Sequence, residues 1–229
     1  MLRLITDFDG PIVDVSERYY SVYQYCLNTS KRSEQAVRQL SKSEFWQLKR
    51  SRIPERQIGL LSGLDEEQAK EFALLRRRTV HSLPYLVHDR LLPGVRETLE
   101  KLQYLQVDVV VMTMRRVREL ETALESFDLH QFFPSNRRYC LSNEHQKSTD
   151  VEDKTQLMKQ ALQELPAREV WMVGDTEADI VAAKTYNVRV IGVLSGIRDR
   201  LQLERYEPDF IVNNFSEAVA LLSTPQTSR

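Results

Sequence analysis

Apolar positions along the chain fall into two kinds of run. Short, nearly continuous runs cover Leu2–Thr6, Val107–Thr113, Val170–Val173 and Val188–Val193, with weaker ones at Tyr139–Leu141 and Phe210–Val212. A stretch such as Val109-Val110-Val111-Met112 predicts a strand buried on both faces, the pattern of a parallel sheet. Between these runs, apolar residues recur at helical spacing over Val95–Gln103, Arg116–Phe127, Lys154–Leu165, Ala178–Lys184 and Ser216–Leu222. Strand and helix alternate, which predicts an α/β fold with a doubly wound parallel sheet.

Residues 15–90 break the alternation. After the first strand only helical periodicity follows, over Val15–Asn28, Glu34–Leu40, Lys42–Arg50 and Asp65–His81. The stretch is too long for a loop. It reads as an inserted all-helical subdomain, 15–90, within a core made of 1–14 and 91–229, with hinges near Val13–Val15 and Asp89–Gly94. The polar tail Thr224–Arg229 is expected to fray.

Composition narrows the classes without choosing among them. Hydrophobic residues make up 41% and charged residues 28% of the chain, as in an ordinary globular protein. Lys and Arg number 32 against 33 Asp and Glu, so no global charge favours nucleic acid or a membrane surface. No apolar run reaches the length of a membrane span. Cys26 and Cys140 belong to no CxxC pair, and His81, His88, His130 and His145 lack ligand spacing. With no signal-peptide pattern at Met1-Leu2-Arg3-Leu4, the expected location is cytoplasmic.

Candidate chemistry gathers at the ends of the predicted strands. Asp7-Phe8-Asp9-Gly10 directly follows the first strand, at the edge where open α/β sheets bind ligands. Two carboxylates there can hold a divalent metal, or act as a nucleophile beside an acid/base. Thr113 ends the second strand and offers a hydroxyl to an anionic oxygen. Lys154 opens a predicted helix, where terminal amides and an ammonium together favour phosphate. Asp175 and Asp179, in Gly174-Asp175-Thr176-Glu177-Ala178-Asp179, stand four apart at a helix start and are able to face one site.

Taken together, these residues resemble the haloacid dehalogenase-like superfamily of hydrolases. Ile191-Gly192-Val193-Leu194-Ser195-Gly196 and Pro208-Asp209-Phe210-Ile211-Val212 are similar to its phosphoglycolate-phosphatase-like branch. The resemblance implies a Rossmann-like core with the insert in the place of a helical cap. It implies Asp7 as nucleophile, Asp9 as general acid/base, Thr113, Lys154 and Gly10 as phosphate contacts, and Mg²⁺ held by Asp7, Asp9, Asp175 and Asp179. The second acid points to phosphoryl transfer rather than dehalogenation. The chain departs from the family pattern at Pro11, at Met114-Arg115 after Thr113, and at Ala183-Lys184.

The expected activity is therefore Mg²⁺-dependent hydrolysis of a small phosphorylated metabolite through an aspartyl-phosphate on Asp7. The alternatives are a sugar phosphomutase of the same family and a catalytically idle member that binds a phospho-ligand. From Lys31 to Arg56 eight basic residues face three acidic ones. Arg50, Arg52 and Arg56 of this stretch, and Arg115 after Thr113, are candidate contacts for an acidic substrate tail. Aromatic interleaving of the kind that binds nucleic acid is missing from the basic stretch.

Overall fold

The computed structural model describes residues 2–223, so the tail Thr224–Arg229 lies outside the described residues. In chain order the elements are β1 Leu2–Thr6, β2 Val13–Asp14, α1 Ser16–Ser30, α2 Lys42–Arg50, α3 Glu55–Leu61, α4 Glu66–Thr79, α5 Leu83–Leu86 and β3 Arg90–Leu91. They continue with α6 Val95–Tyr104, β4 Asp108–Arg116, α7 Val117–Ser126, β5 Arg138–Leu141 and α8 Asp150–Glu164. The last are β6 Glu169–Gly174, α9 Glu177–Thr185, β7 Arg189–Val193, α10 Arg200–Glu204, β8 Phe210–Val212 and α11 Phe215–Ser223. The chain divides into two compact units. One comprises the residues up to Asp14, Leu91–Gly196 and Arg200 onward; the other comprises Val15–Arg90 with Ile197–Asp199.

The first unit is built on a six-stranded sheet of order β5-β4-β1-β6-β7-β8. All of its neighbouring strands run parallel. Strand β1 lies in the middle, with Leu4 opposite Val109 on one side and Trp171 on the other. The chain winds outward from β1 through β4 to β5, then returns to β6 and winds outward the other way. The reversal falls between β1 and β6, and the carboxyl ends of strands at such a switch point form a crevice for ligands. Ile5, Val110, Met112, Met172 and Val190 are fully buried in one apolar cluster with Met158 and Ala161 of α8 and Ile180 and Ala183 of α9. At the opposite, amino-terminal end of the strands, buried Arg3 pairs with Asp108 at 2.8 Å, and Arg137 reaches the same carboxylate at 2.6 Å.

The second unit has its own core. Tyr23, Phe45, Ile58, Ala69 and Phe72 are fully buried together. The Tyr23 ring stacks on Phe45 at 4.8 Å and meets Phe72 edge-on at 6.1 Å. The two ends of the unit are tied by a buried pair, Arg18 and Asp89, at 3.0 Å.

The helix predicted over Glu34–Leu40 does not form; these residues are extended or turning. Glu34 sits at φ 61°, in the left-handed region. The backbone groups that a helix would pair locally are engaged elsewhere. The Leu40 N–H donates to the Tyr23 hydroxyl, the Leu40 carbonyl accepts from Tyr20, and the Arg38 N–H donates to the Ser62 carbonyl. Tertiary hydrogen bonds therefore override the local apolar spacing. Three short helices, α3, α5 and α10, span two turns or fewer, too little for apolar periodicity to mark them. Among the described residues no helix is long and apolar enough to cross a membrane.

Candidate active site

Strand β1 delivers Asp7 at its carboxyl end. The Asp7 N–H still donates to Val173 of β6 at 2.8 Å, so its backbone is anchored to the sheet while its side chain leaves the strand. One carboxylate oxygen accepts the Phe8 N–H at 2.7 Å. The chain then turns tightly: the Ile12 and Val13 N–H groups both donate to the Phe8 carbonyl. Gly10 makes that turn at φ 93°. A Cβ there would lie 2.3 Å from Cγ of Asp175, so only glycine allows the turn and the carboxylate to share this space.

The Asp175 carboxylate is enclosed from a second side. A Cβ on Gly196, beyond β7, would come within 1.9 Å of its Oδ2, and one on Gly174 would lie 2.2 Å from Cγ of Asp179. Three glycines thus clear room for two acids. The Ser195 hydroxyl donates to the Gly10 carbonyl at 2.7 Å, joining the loop after β7 to the loop after β1.

Asp179 lies in the first turn of α9 and closes a capping box with Thr176, not with Asp175. Its Oδ2 accepts from the Thr176 hydroxyl at 2.8 Å and from the N–H groups of Thr176 and Asp175 at 3.0 and 3.2 Å. Its Oδ1 faces the Lys154 ammonium at 2.8 Å, and the same ammonium reaches Asp7 Oδ2 at 2.9 Å. Lys154 does not open its helix. Helix α8 begins at Asp150 and is capped by a box between Thr149 and Glu152. Lys154 therefore stands a full turn in, with its ammonium on the two acids, while Thr149 accepts the Glu152 N–H at the helix start at 3.2 Å.

Oxygen atoms of Asp7, Asp175 and Asp179 all lie within 4.8 Å of one another, and all three residues are buried. A compact set of hard oxygen donors with this much negative charge suits a divalent cation. Burial pushes the Asp7 carboxyl up to about 7; Lys154 pulls it down, and Asp179 and Asp9 push it further up. Burial by itself would lower the Lys154 ammonium, but Asp179 and Asp7 outweigh it and hold it above its usual value. The cluster is thus poised to gain a cation or a proton.

Asp9 stands outside that group of three. Its Oδ1 receives both Nε and Nη2 of Arg115 at 2.7 Å. The buried Arg115 guanidinium also lies 5.0 Å from the centre of the Phe8 ring. Strand β4 runs three residues past Thr113, and its pairing with β5 is irregular between Met112 and Arg116. Such irregularities re-aim side chains, and here Thr113 and Arg115 are both buried, with the Thr113 hydroxyl accepting the Arg115 N–H at 3.2 Å. The sequence points to Arg115 as a substrate contact, whereas here it is paired with Asp9. Gly174, Gly196 and Ser195 also shape the site, and glycines at successive strand ends are their signal in the sequence.

The other three candidate arginines belong to the helical unit. Arg50 ends α2, where its carbonyl accepts the Asp199 N–H at 3.3 Å. Arg52 occupies a left-handed position at φ 62°. Arg56 is exposed on α3 and paired with Glu66.

The chain is 25% identical over 230 residues to the pyrophosphatase PpaX of Bacillus cereus (strain Q1), covering 96% of this chain and 95% of that protein. It is 26% identical over 161 residues to a phosphoglycolate phosphatase of Pseudomonas savastanoi pv. phaseolicola, covering 69% of this chain and 56% of that one. Its fold matches a crystal structure of a Clostridium difficile protein described as a phosphatase, with a TM-score of 0.74, 22% identity and coverage of 96% and 97%. A family profile, haloacid dehalogenase-like hydrolase, matches residues 4–193, and with most of the chain inside that match the protein belongs to the haloacid dehalogenase-like hydrolase family.

Proposed function

We propose that this chain is a Mg²⁺-dependent phosphatase that hydrolyses a small phosphate monoester through an aspartyl-phosphate on Asp7. One observation carries the reading: a nucleophile-capable carboxylate at the switch point of the sheet sits against one buried ammonium and two further buried carboxylates. Asp7, Asp175 and Asp179 would hold the Mg²⁺, whose bound charge offsets the repulsion between a carboxylate and a phosphate dianion. Lys154, Thr113 and the loop at Gly10 would hold the phosphoryl oxygens.

In the first half-reaction an Asp7 carboxylate oxygen attacks phosphorus. The bond from phosphorus to the ester oxygen breaks, and Asp9 gives a proton to the departing alkoxide. In the second, Asp9 takes a proton from water as that water's oxygen attacks the phosphorus, and Asp7 is released. Arg115 holds Asp9 in position for both transfers.

The relatives named for pyrophosphate and phosphoglycolate support a small, strongly anionic substrate. Both cysteines are free thiols, which supports a reducing, cytoplasmic location.

The test is phosphate release from a panel of small phosphate esters, with and without Mg²⁺, for the native chain and for Asp7→Asn. Mg²⁺-dependent release that disappears in the variant is expected. Release that persists in Asp7→Asn would refute the role of Asp7.

A further inference from the structure

The helical unit contains a second charged cluster, made entirely of its own residues. Arg76 of α4 has a side chain only 3% exposed, and its Nη1 donates to Glu55 Oε1. The Lys49 ammonium, at the end of α2, donates to the same oxygen. Its side chain is 13% exposed and that of Glu55 22%, so the cluster is closed behind Arg76 and opens past Lys49 and Glu55. The Tyr19 ring forms one wall, with the Arg76 guanidinium 5.1 Å and the Lys49 ammonium 5.8 Å from its centre. Arg198, on the Ile197–Asp199 stretch that groups with this unit, donates to the Lys49 carbonyl at 3.4 Å and adds positive charge.

Two buried or half-buried cations thus share one carboxylate, with a third cation alongside. Among the described residues, Nε and Nη2 of Arg76 have no hydrogen-bond partner, and neither has Glu55 Oε2. Buried donors of this kind cost free energy until they are satisfied, the more so on a charged group. Lys49 shows the same imbalance: burial, then Arg76, lowers its ammonium to about 8, and Glu55 restores it only in part.

We propose that Lys49, Arg76 and Glu55 form an anion-binding site for a small oxyanion that also carries a hydroxyl, such as hydrogenphosphate or a hydroxycarboxylate. The oxyanion oxygens accept from Arg76 and Lys49, and the hydroxyl donates to Glu55. The ligand is a free anion, so the binding claim does not depend on the proposed catalysis.

The probe is inorganic phosphate, titrated into the full-length chain while the side-chain Nε–H resonance of Arg76 is followed by NMR. That resonance is assigned by its loss in Arg76→Lys. A saturable shift is expected, with the affinity falling about ten- to hundredfold in Lys49→Gln, the scale of one charge-assisted hydrogen bond. Trp46 fluorescence verifies that each variant keeps the helical unit folded. An Arg76 resonance that stays fixed through the millimolar range, or that moves equally in Lys49→Gln, overturns the site. Absence of turnover in the native chain would sink the phosphatase reading alone, because the resonance shift needs no catalysis.

Discussion

Replacing Lys154 with Met removes the one ammonium that separates Asp7 from Asp179. At an effective dielectric of about 20, a unit-charge contact near 3 Å is worth roughly 5 kcal/mol. The native chain has two, at 2.9 and 2.8 Å, set against the several kcal/mol needed to desolvate the lysine. Methionine fills the space but leaves two buried carboxylates without their partner, and breaking a buried pair in this way costs about 3–5 kcal/mol. The loss depends on pH in a definite direction. The Asp7 carboxyl is already raised, to about 7, with Lys154 pulling it down, so without Lys154 it moves further up. A carboxyl raised in the folded state favours folding fully below its unfolded pKa near 3.8, and that contribution is lost as pH climbs through the folded value. The deficit of Lys154→Met relative to the native chain should therefore be small near pH 5 and largest above pH 7. Urea unfolding with a chelator present, read from buried Trp171 of β6 in a Trp46→Phe background, isolates the first unit. A deficit below about 1 kcal/mol at pH 8, or one that does not change with pH, would refute the reasoning.

Three further outcomes follow from the same geometry. Gly196→Ala puts a methyl group where Asp175 Oδ2 lies; the Mg²⁺ concentration for half-maximal phosphate release should rise at least about tenfold, with Trp171 unfolding little changed, and an unaltered Mg²⁺ requirement would show that Asp175 moves aside without consequence. Arg115→Met frees Asp9 from its fork; kcat should drop about ten- to hundredfold with KM much less affected, Arg115→Lys should recover part of it, and a change confined to KM would mark Arg115 as a substrate contact instead. Tyr23→Phe strips the Leu40 N–H of its acceptor and Ser62 of a partner inside the helical core; a loss of about 1–3 kcal/mol in unfolding followed by Trp46 is expected, and no loss would mean that the segment before α2 is not held by that hydroxyl.

The core was legible because its signals are local. The run Leu2–Thr6 ends at Asp7, and Gly10 marks the turn. Thr149-Asp150-Val151-Glu152 spells a capping box that, given its full weight, would have started α8 at Asp150 instead of Lys154. The Glu34–Leu40 segment misled because its apolar spacing is helical, whereas its conformation is decided by hydroxyls of Tyr20 and Tyr23 in another helix. The Arg115–Asp9 fork joins residues 106 positions apart, and no spacing rule reaches that far. The same holds for the glycines around Asp175: the sequence sets Gly10 and Gly196 after two different strands, and only the fold brings them to one carboxylate.

The central place of β1 sets an order of events during synthesis. Its two sheet partners, β4 and β6, begin at Asp108 and Glu169, so about a hundred residues must be made before the first can pair. At roughly 5–20 residues per second that is a wait of about 5–20 s. The core residues Tyr23, Phe45, Ile58 and Phe72 of the helical unit all precede β4, so that unit has most of its core available to close within that interval. An apolar strand that ends in the proposed nucleophile therefore stays without its neighbours while the insert folds, and the carboxylate cluster assembles only after Asp179 has been made. Truncated chains that end before β4 should hold a folded insert and an unpaired β1, the strand through whose edges unfinished copies would associate.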